Sequence, residues 1–216
     1  MKKLIILIAM IAGAWHWNLI ELPSSSSANA FDEMGAPLVL LYTTNNCGRP
    51  CQLARDELKR RRVSFEELDI NPADENNENV KMWEKLGKNQ FPLILSGKEV
   101  INGSGTRAQI ATFLGLSFDD KYLTKTEKRY FKKHFYADGS PKIVMYGVDW
   151  CPSCKSLRGE FKENNIDYIE VDVEKSSEME KILNTMEIGG YPATWVGYTR
   201  VNGTKLKAVN SILHNY

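Results

Sequence analysis

The chain repeats itself at domain scale. Pro37-Leu-Val-Leu-Leu-Tyr42 aligns with Pro141-Lys-Ile-Val-Met-Tyr146 at an offset of 104, and Cys47 aligns with Cys151 at the same offset. Past the second cysteine the offset is 103, pairing Arg55 with Arg158, Glu57 with Glu160, Val63 with Ile166, Phe65 with Tyr168 and Asp69 with Asp172. It then falls to 100, pairing Phe91-Pro92 with Tyr191-Pro192 and Asn102-Gly103 with Asn202-Gly203. Copy one therefore holds one extra residue between its cysteines and three more in its Asn-rich stretch. A period near 100 residues is a domain duplication, since solenoid repeats are much shorter.

Both copies read in one order. The apolar runs Leu38 to Tyr42 and Ile143 to Tyr146 predict buried strands, each followed by a cysteine pair that opens an amphipathic helix. A second strand (64–70, 167–173) leads to a charged helix, a short strand after Phe-Pro or Tyr-Pro, and a hairpin turning at Gly97 or Gly197. A last helix is expected from Thr106 in copy one and, more weakly, within 204–216 in copy two. Between the copies, Thr124-Lys-Thr-Glu127 has the pattern of a capping box, with Tyr130, Phe131, His134 and Phe135 beyond it at helical spacing. This predicts a connecting helix with a docked apolar face. Its interleaved lysines also fit a membrane or polyanion surface, but Asp119, Asp120 and Glu127 offset them.

Lys2 and Lys3, an apolar run from Leu4, a serine stretch and Ala28-Asn29-Ala30 follow the order of an export signal. The organisation expected is thus a signal peptide at 1–30 with a mature start at Phe31, domain one at 37–115, a connecting segment at 116–140 and domain two at 141–216. A retained membrane anchor is the alternative for the leader. Charge excludes one class of partner: 28 basic and 27 acidic residues supply no field for nucleic acid. Export to an oxidising compartment such as the periplasm makes a disulfide feasible at Cys47/Cys51 and at Cys151/Cys154.

A strand, a cysteine pair at a helix mouth, an aromatic-Pro pair some forty residues on and a hairpin ending in glycine together resemble the glutaredoxin family, within the thioredoxin fold. The likeness covers nearly all of 37–115 and 141–216, and Trp150-Cys-Pro-Ser-Cys154 is its most specific part. It implies an α/β architecture of two tandem thioredoxin-like domains, each a four-stranded mixed sheet flanked by helices, with cis peptides before Pro92 and Pro192. By the same resemblance Cys151 attacks and Cys154 resolves, while Trp150, Tyr191, Pro192, Phe91 and Pro92 line the substrate side. Core packing is an equal reading for Phe91 and Tyr191. The chemistry has a physical basis. A thiolate is the nucleophile in disulfide exchange, and the positive end of a helix lowers thiol pKa. Pro152 suits the first turn because it has no N–H to lose there.

Copy one departs from this pattern. In Cys47-Gly-Arg-Pro-Cys51 a helix starting at Pro50 places Cys51 in its first turn and leaves Cys47 outside, so the attacking role is open between them, and a permanently oxidised motif is the other reading. No cofactor is required; glutathione is a candidate cosubstrate. Many glutaredoxins hold its carboxylates with a lysine before the first cysteine and a glycine loop after the hairpin. Thr44 and Val148 stand at the first position here, and Gly103 and Gly105 supply the loop in copy one. The expected function is an exported thiol–disulfide oxidoreductase acting on protein or small-molecule disulfides. Two other classes stay open: a thiolate metal site drawing on both pairs, and a peptide-binding module with structural disulfides.

Overall fold

The computed structural model describes residues 30–87, 90–103 and 105–213, so most of the leader lies outside the described residues. The first copy forms β1 (Val39–Thr43), α1 (Arg49–Arg60), β2 (Glu66–Asp69), α2 (Glu78–Lys85), β3 (Leu93–Ser96), β4 (Glu99–Asn102) and α3 (Arg107–Phe118). The connecting segment adds α4 (Lys125–Phe131) and a tight turn at Lys132–His134. The second copy repeats the order as β5 (Ile143–Gly147), α5 (Pro152–Glu163), β6 (Ile169–Asp172), α6 (Met179–Met186), β7 (Ala193–Val196), β8 (Thr199–Arg200) and α7 (Leu206–Leu213).

Two four-stranded mixed sheets result, ordered β2-β1-β3-β4 and β6-β5-β7-β8. In each, the first pair is parallel and the other two are antiparallel, because a helix crosses back after β1 and β5 while a tight turn joins the last two strands. The inner strands are apolar and buried because helices cover both faces. Leu41 and Ile94 meet Leu58 of α1 and Ile110 and Leu114 of α3 on one side, while Tyr42, Leu93 and Leu95 meet Val80 and Trp83 of α2 on the other. In copy two Val144, Tyr146 and Trp195 join Leu157, Phe161, Ile182 and Val209. Cis peptides precede Pro92 and Pro192.

The repeat begins earlier than the match at Pro37 suggests. Ala30-Phe31 with Gly35 and Pro37 corresponds to His134-Phe135 with Gly139 and Pro141, again at offset 104. Both segments fold into the same hook. Phe31 bridges to Pro37 and Phe135 to Pro141, and Gly35 and Gly139 both take positive φ, at 81° and 84°, a conformation that suits glycine. Ala30 is only 3% exposed, donates its N–H to Gly97 O at 2.8 Å and accepts from Gly97 and Leu38. A boundary between Ala30 and Phe31 therefore passes through the folded unit, in which Ala30 pairs with Gly97.

The connecting segment is a strut clamped at both ends. Thr124 and Glu127 form the capping box, and the Glu127 carboxylate also takes two hydrogen bonds from Arg61, at 2.6 and 2.7 Å. Arg61 reaches Glu57 at 2.8 Å as well, and all three residues are buried. Burial pushes both carboxylic acids up, but the arginine hydrogen bonds outweigh it, so Glu57 and Glu127 stay below the usual range. On the other side His134 is fully buried between Gly197 O and the Tyr146 hydroxyl, at 2.9 Å each. A carbonyl only accepts, so Nδ1 carries the proton and Tyr146 O–H donates to Nε2. The two copies also touch directly: Tyr198 packs so close to Gly115 of α3 that a Cβ there would come within 2.5 Å of its ring. The docked face expected of this segment is present, with helix over Lys125–Phe131 and Phe135 stacking on Tyr198 beyond the turn.

Candidate active site

In copy two β5 delivers the chain through Val148 and Asp149 to Cys151, which is the N-cap residue of α5, with Pro152 in its first turn. The free N–H groups of that turn need an acceptor, and the Cys154 N–H finds one in Cys151 Sγ at 3.1 Å. Cys154 lies one turn on and is completely buried. Burial, followed by its hydrogen bond with Cys151, pushes its thiol up to about 11, against smaller opposing effects of the Val148 main chain and the Arg158 charge. The pair is therefore asymmetric. Cys151 caps the helix, and Cys154 stays protonated at neutral pH. Both are free thiols here.

Trp150 and Tyr191 stand beside this pair, with ring centroids 6.4 Å apart in an edge-on arrangement. Trp150 is 62% exposed, its Nε1–H donates to the Glu174 carboxylate at 3.0 and 3.1 Å, and Lys175 ties the preceding Asp149 to Asp172. An apolar side chain this exposed is an available contact surface, and here its orientation is fixed. Burial, followed by the Glu174 charge, pushes the Tyr191 phenol up.

Three residues behind Cys154 carry no motif. Arg158 makes a bidentate pair with Glu170, with Nε at 2.9 and 3.0 Å and Nη2 at 2.5 Å from the carboxylate, and Nη2 also donates to Val148 O. Gly147 leaves the space between this pair and the sulfur: a Cβ there would sit 3.1 Å from Cys154 Sγ and 3.6 Å from Glu170 Oε1. Copy one has the same ion pair, Arg55 with Glu67, but Thr43 fills the equivalent place and donates its hydroxyl to Glu67 at 3.2 Å. The signal was in the sequence as an Arg–Glu spacing of twelve repeated in both copies.

The other cysteine pair is differently built. Gly48 caps α1 at a φ of 59°, Cys51 lies in the first turn, and Cys47 sits outside the helix, joined to Cys51 in a disulfide with Cα atoms 5.7 Å apart. Phe91 turns away to stack flat on Trp83, with centroids 4.9 Å apart, whereas its counterpart Tyr191 faces Trp150. Pro92 and Gly103 are neighbours through a 2.8 Å hydrogen bond. Both loop glycines answer to close packing: a Cβ on Gly103 would strike the Gln90 side chain at 2.7 Å, and one on Gly105 would press on Ile101 and Ile110 at 3.2 and 3.3 Å. The four cysteines thus divide into one closed and one open pair. Among the described residues no group of three or more His, Cys, Asp or Glu side chains is arranged to surround an ion, and no helix is long and apolar enough to cross a membrane.

Residues 143–201 match the family model for glutaredoxin, a span that runs from β5 through the hairpin of copy two. Comparison with curated proteins returned no match. Among solved structures the chain is similar to the holo form of glutaredoxin C1 from Populus tremula x tremuloides, at 15% identity over 40% of this chain and 85% of that one, with a TM-score of 0.30.

Proposed function

We propose that this protein is an exported thiol–disulfide oxidoreductase working through Cys151 and Cys154 on protein or small-molecule disulfides. The observation that carries the reading is the capped, asymmetric pair: Cys151 Sγ held by the Cys154 N–H at the mouth of α5, with Cys154 buried behind it. The Cys151 thiolate attacks one sulfur of a substrate disulfide, forming a mixed disulfide and releasing the other half as a thiolate that takes up a proton. Cys154 then loses its proton and attacks Cys151 Sγ. The Cys151–Cys154 bond forms, the substrate leaves as a second thiolate, and the protein is oxidised by two electrons. An external dithiol, or two glutathione molecules, returns it to the reduced state. The Arg158 charge acts on Cys154, lowering its pKa against the larger effect of burial, and Glu170 holds Arg158 in place. Trp150, Tyr191 and Pro192 form the substrate side.

Copy one serves as an auxiliary or structural unit in this reading. The closed Cys47–Cys51 pair and the Phe91–Trp83 stack favour a supporting role over a second equivalent site. Glutathione is a cosubstrate rather than a resident cofactor, and neither nucleic acid nor membrane enters the reaction. Turnover of a small aromatic disulfide with dithiothreitol as donor tests the proposal. Cys151→Ser should lose nearly all turnover and Cys47→Ser should keep most of it; equal losses would assign the chemistry to both copies.

A further inference from the structure

A cleft of about 750 Å³ runs between the two copies, lined by β4 and α3 on one side and by α6, β8 and the Pro192-Ala193 segment on the other. Its walls include the outermost strand of each sheet. Among the described residues β4 pairs only with β3, and β8 only with β7. In an antiparallel ladder, residues between successive bonded pairs turn their N–H and C=O groups away from the partner strand. Gly103 N–H is bonded to Pro92 O, and Val201 N–H to Thr194 O. The alternation therefore turns the backbone of Val100 and Asn102 outward from β4, and that of Arg200 and Asn202 outward from β8. All four line the cleft, at equivalent positions of the two copies.

From this arrangement we propose that the cleft between the domains binds an extended polypeptide, which pairs with the β8 edge and reaches the β4 edge while its cysteine reacts at Cys151. The inference rests on the redox reading above and narrows its substrate to protein chains. Three observations select this occupant. Unpaired strand edges are filled by another extended backbone. The lining carries few charged groups, the Glu99 and Glu187 carboxylates and Arg200, and Arg200 is already held over the Trp195 ring at 5.1 Å and donates to Glu187 O at 3.1 Å. Recognition there falls to the main chain, without demand for a charged ligand. The cleft also reaches Pro192, whose neighbour Tyr191 meets Trp150, the residue before Cys151.

The test uses the full chain carrying Cys154→Ser and two probes activated as thionitrobenzoate disulfides: a ten-residue peptide with a central cysteine, and glutathione. Amide exchange at Val100, Asn102, Arg200 and Asn202 should slow by about tenfold or more in the peptide adduct and stay unchanged in the glutathione adduct. In the unsubstituted chain, N-methylation of the peptide backbone on both sides of its cysteine should slow the reaction by about tenfold, the loss of roughly 1.4 kcal/mol of pairing. Equal exchange in both adducts, or indifference to N-methylation, would overturn the cleft assignment while leaving the redox reading intact. Protection that appears without peptide and grows with protein concentration would instead make the edges an interface between two copies of this chain. Failure of both probes to react with Cys151 would overturn the redox reading and the cleft assignment together.

Discussion

Cys151 and Cys154 are both buried but differ in that the Cys151 sulfur accepts the helix N–H that Cys154 donates, and Gly147 leaves the space beside Cys154 Sγ. Introducing the copy-one residue by Gly147→Thr would push a side chain into Cys154 Sγ and place a hydroxyl beside Glu170. The expected outcome is slower resolution by about tenfold or more, since small misplacements of a reacting atom are expensive in rate. Stopped-flow measurement should then show the mixed disulfide through Cys151 accumulating while its formation stays near normal. An unchanged resolution rate would remove Gly147 from the account. Much of this site was legible in the sequence, because a cysteine at a strand–helix junction followed by proline has few other conformations open to it. Gly147, Arg158 and Glu170 were not singled out, because none is a reactive residue type and their relation to Cys154 exists only once β6 pairs with β5.

At the level of elements, the inner strands followed their apolar runs, and the first-copy helix begins at Arg49, one residue before the start expected at Pro50. The hook before each first strand was not read, because its seven-residue pattern holds together by turns and main-chain bridges rather than by periodicity. It carries a prediction for the expected mature start at Phe31. A chain beginning at Phe31 loses the Ala30–Gly97 pairing and should be less stable than one beginning at Asn29 by about 1–3 kcal/mol, readable from urea unfolding. Equal stability would make the hook incidental. The corresponding position in copy two is His134, where burial lowers the imidazole to about 4, partly opposed by its bond to Gly197 and assisted by the Lys133 charge. The unfolded chain takes up this proton below about pH 6.5 and the folded chain does not until about pH 4, so stability is full above the first value and declines toward the second. The decline amounts to about 3 kcal/mol at about 1.4 kcal/mol per pH unit. His134→Phe should flatten that slope between pH 6.5 and 4 while lowering stability at neutral pH through the orphaned Tyr146 hydroxyl; a slope unchanged in the variant would contradict the assignment.

Across the whole molecule there are two sheets of one topology and two unlike cysteine pairs, joined by a strut held by Arg61 at one end and by Tyr146 and Gly197 at the other. Arg61→Met would strand the Glu57 and Glu127 carboxylates without their central cation and should cost about 3–5 kcal/mol in denaturant unfolding, where a surface pair would cost far less. That coupling was invisible in the sequence, since it joins residues 66 positions apart, and the position matching Arg61 in copy two is Asn164. The sequence did carry the asymmetry of the cysteine pairs, through the one extra residue of copy one, but not which pair is closed. The central claim is that one copy carries the exchange and that its two sulfurs have fixed roles. It is tested most directly by trapping: full-length Cys154→Ser and Cys151→Ser are each mixed with a disulfide-containing protein, quenched with a thiol blocker and resolved without reductant. A stable mixed disulfide at Cys151 is expected in the Cys154→Ser chain and little or none in the Cys151→Ser chain. Equal trapping by both, or trapping through Cys47 or Cys51, would contradict it.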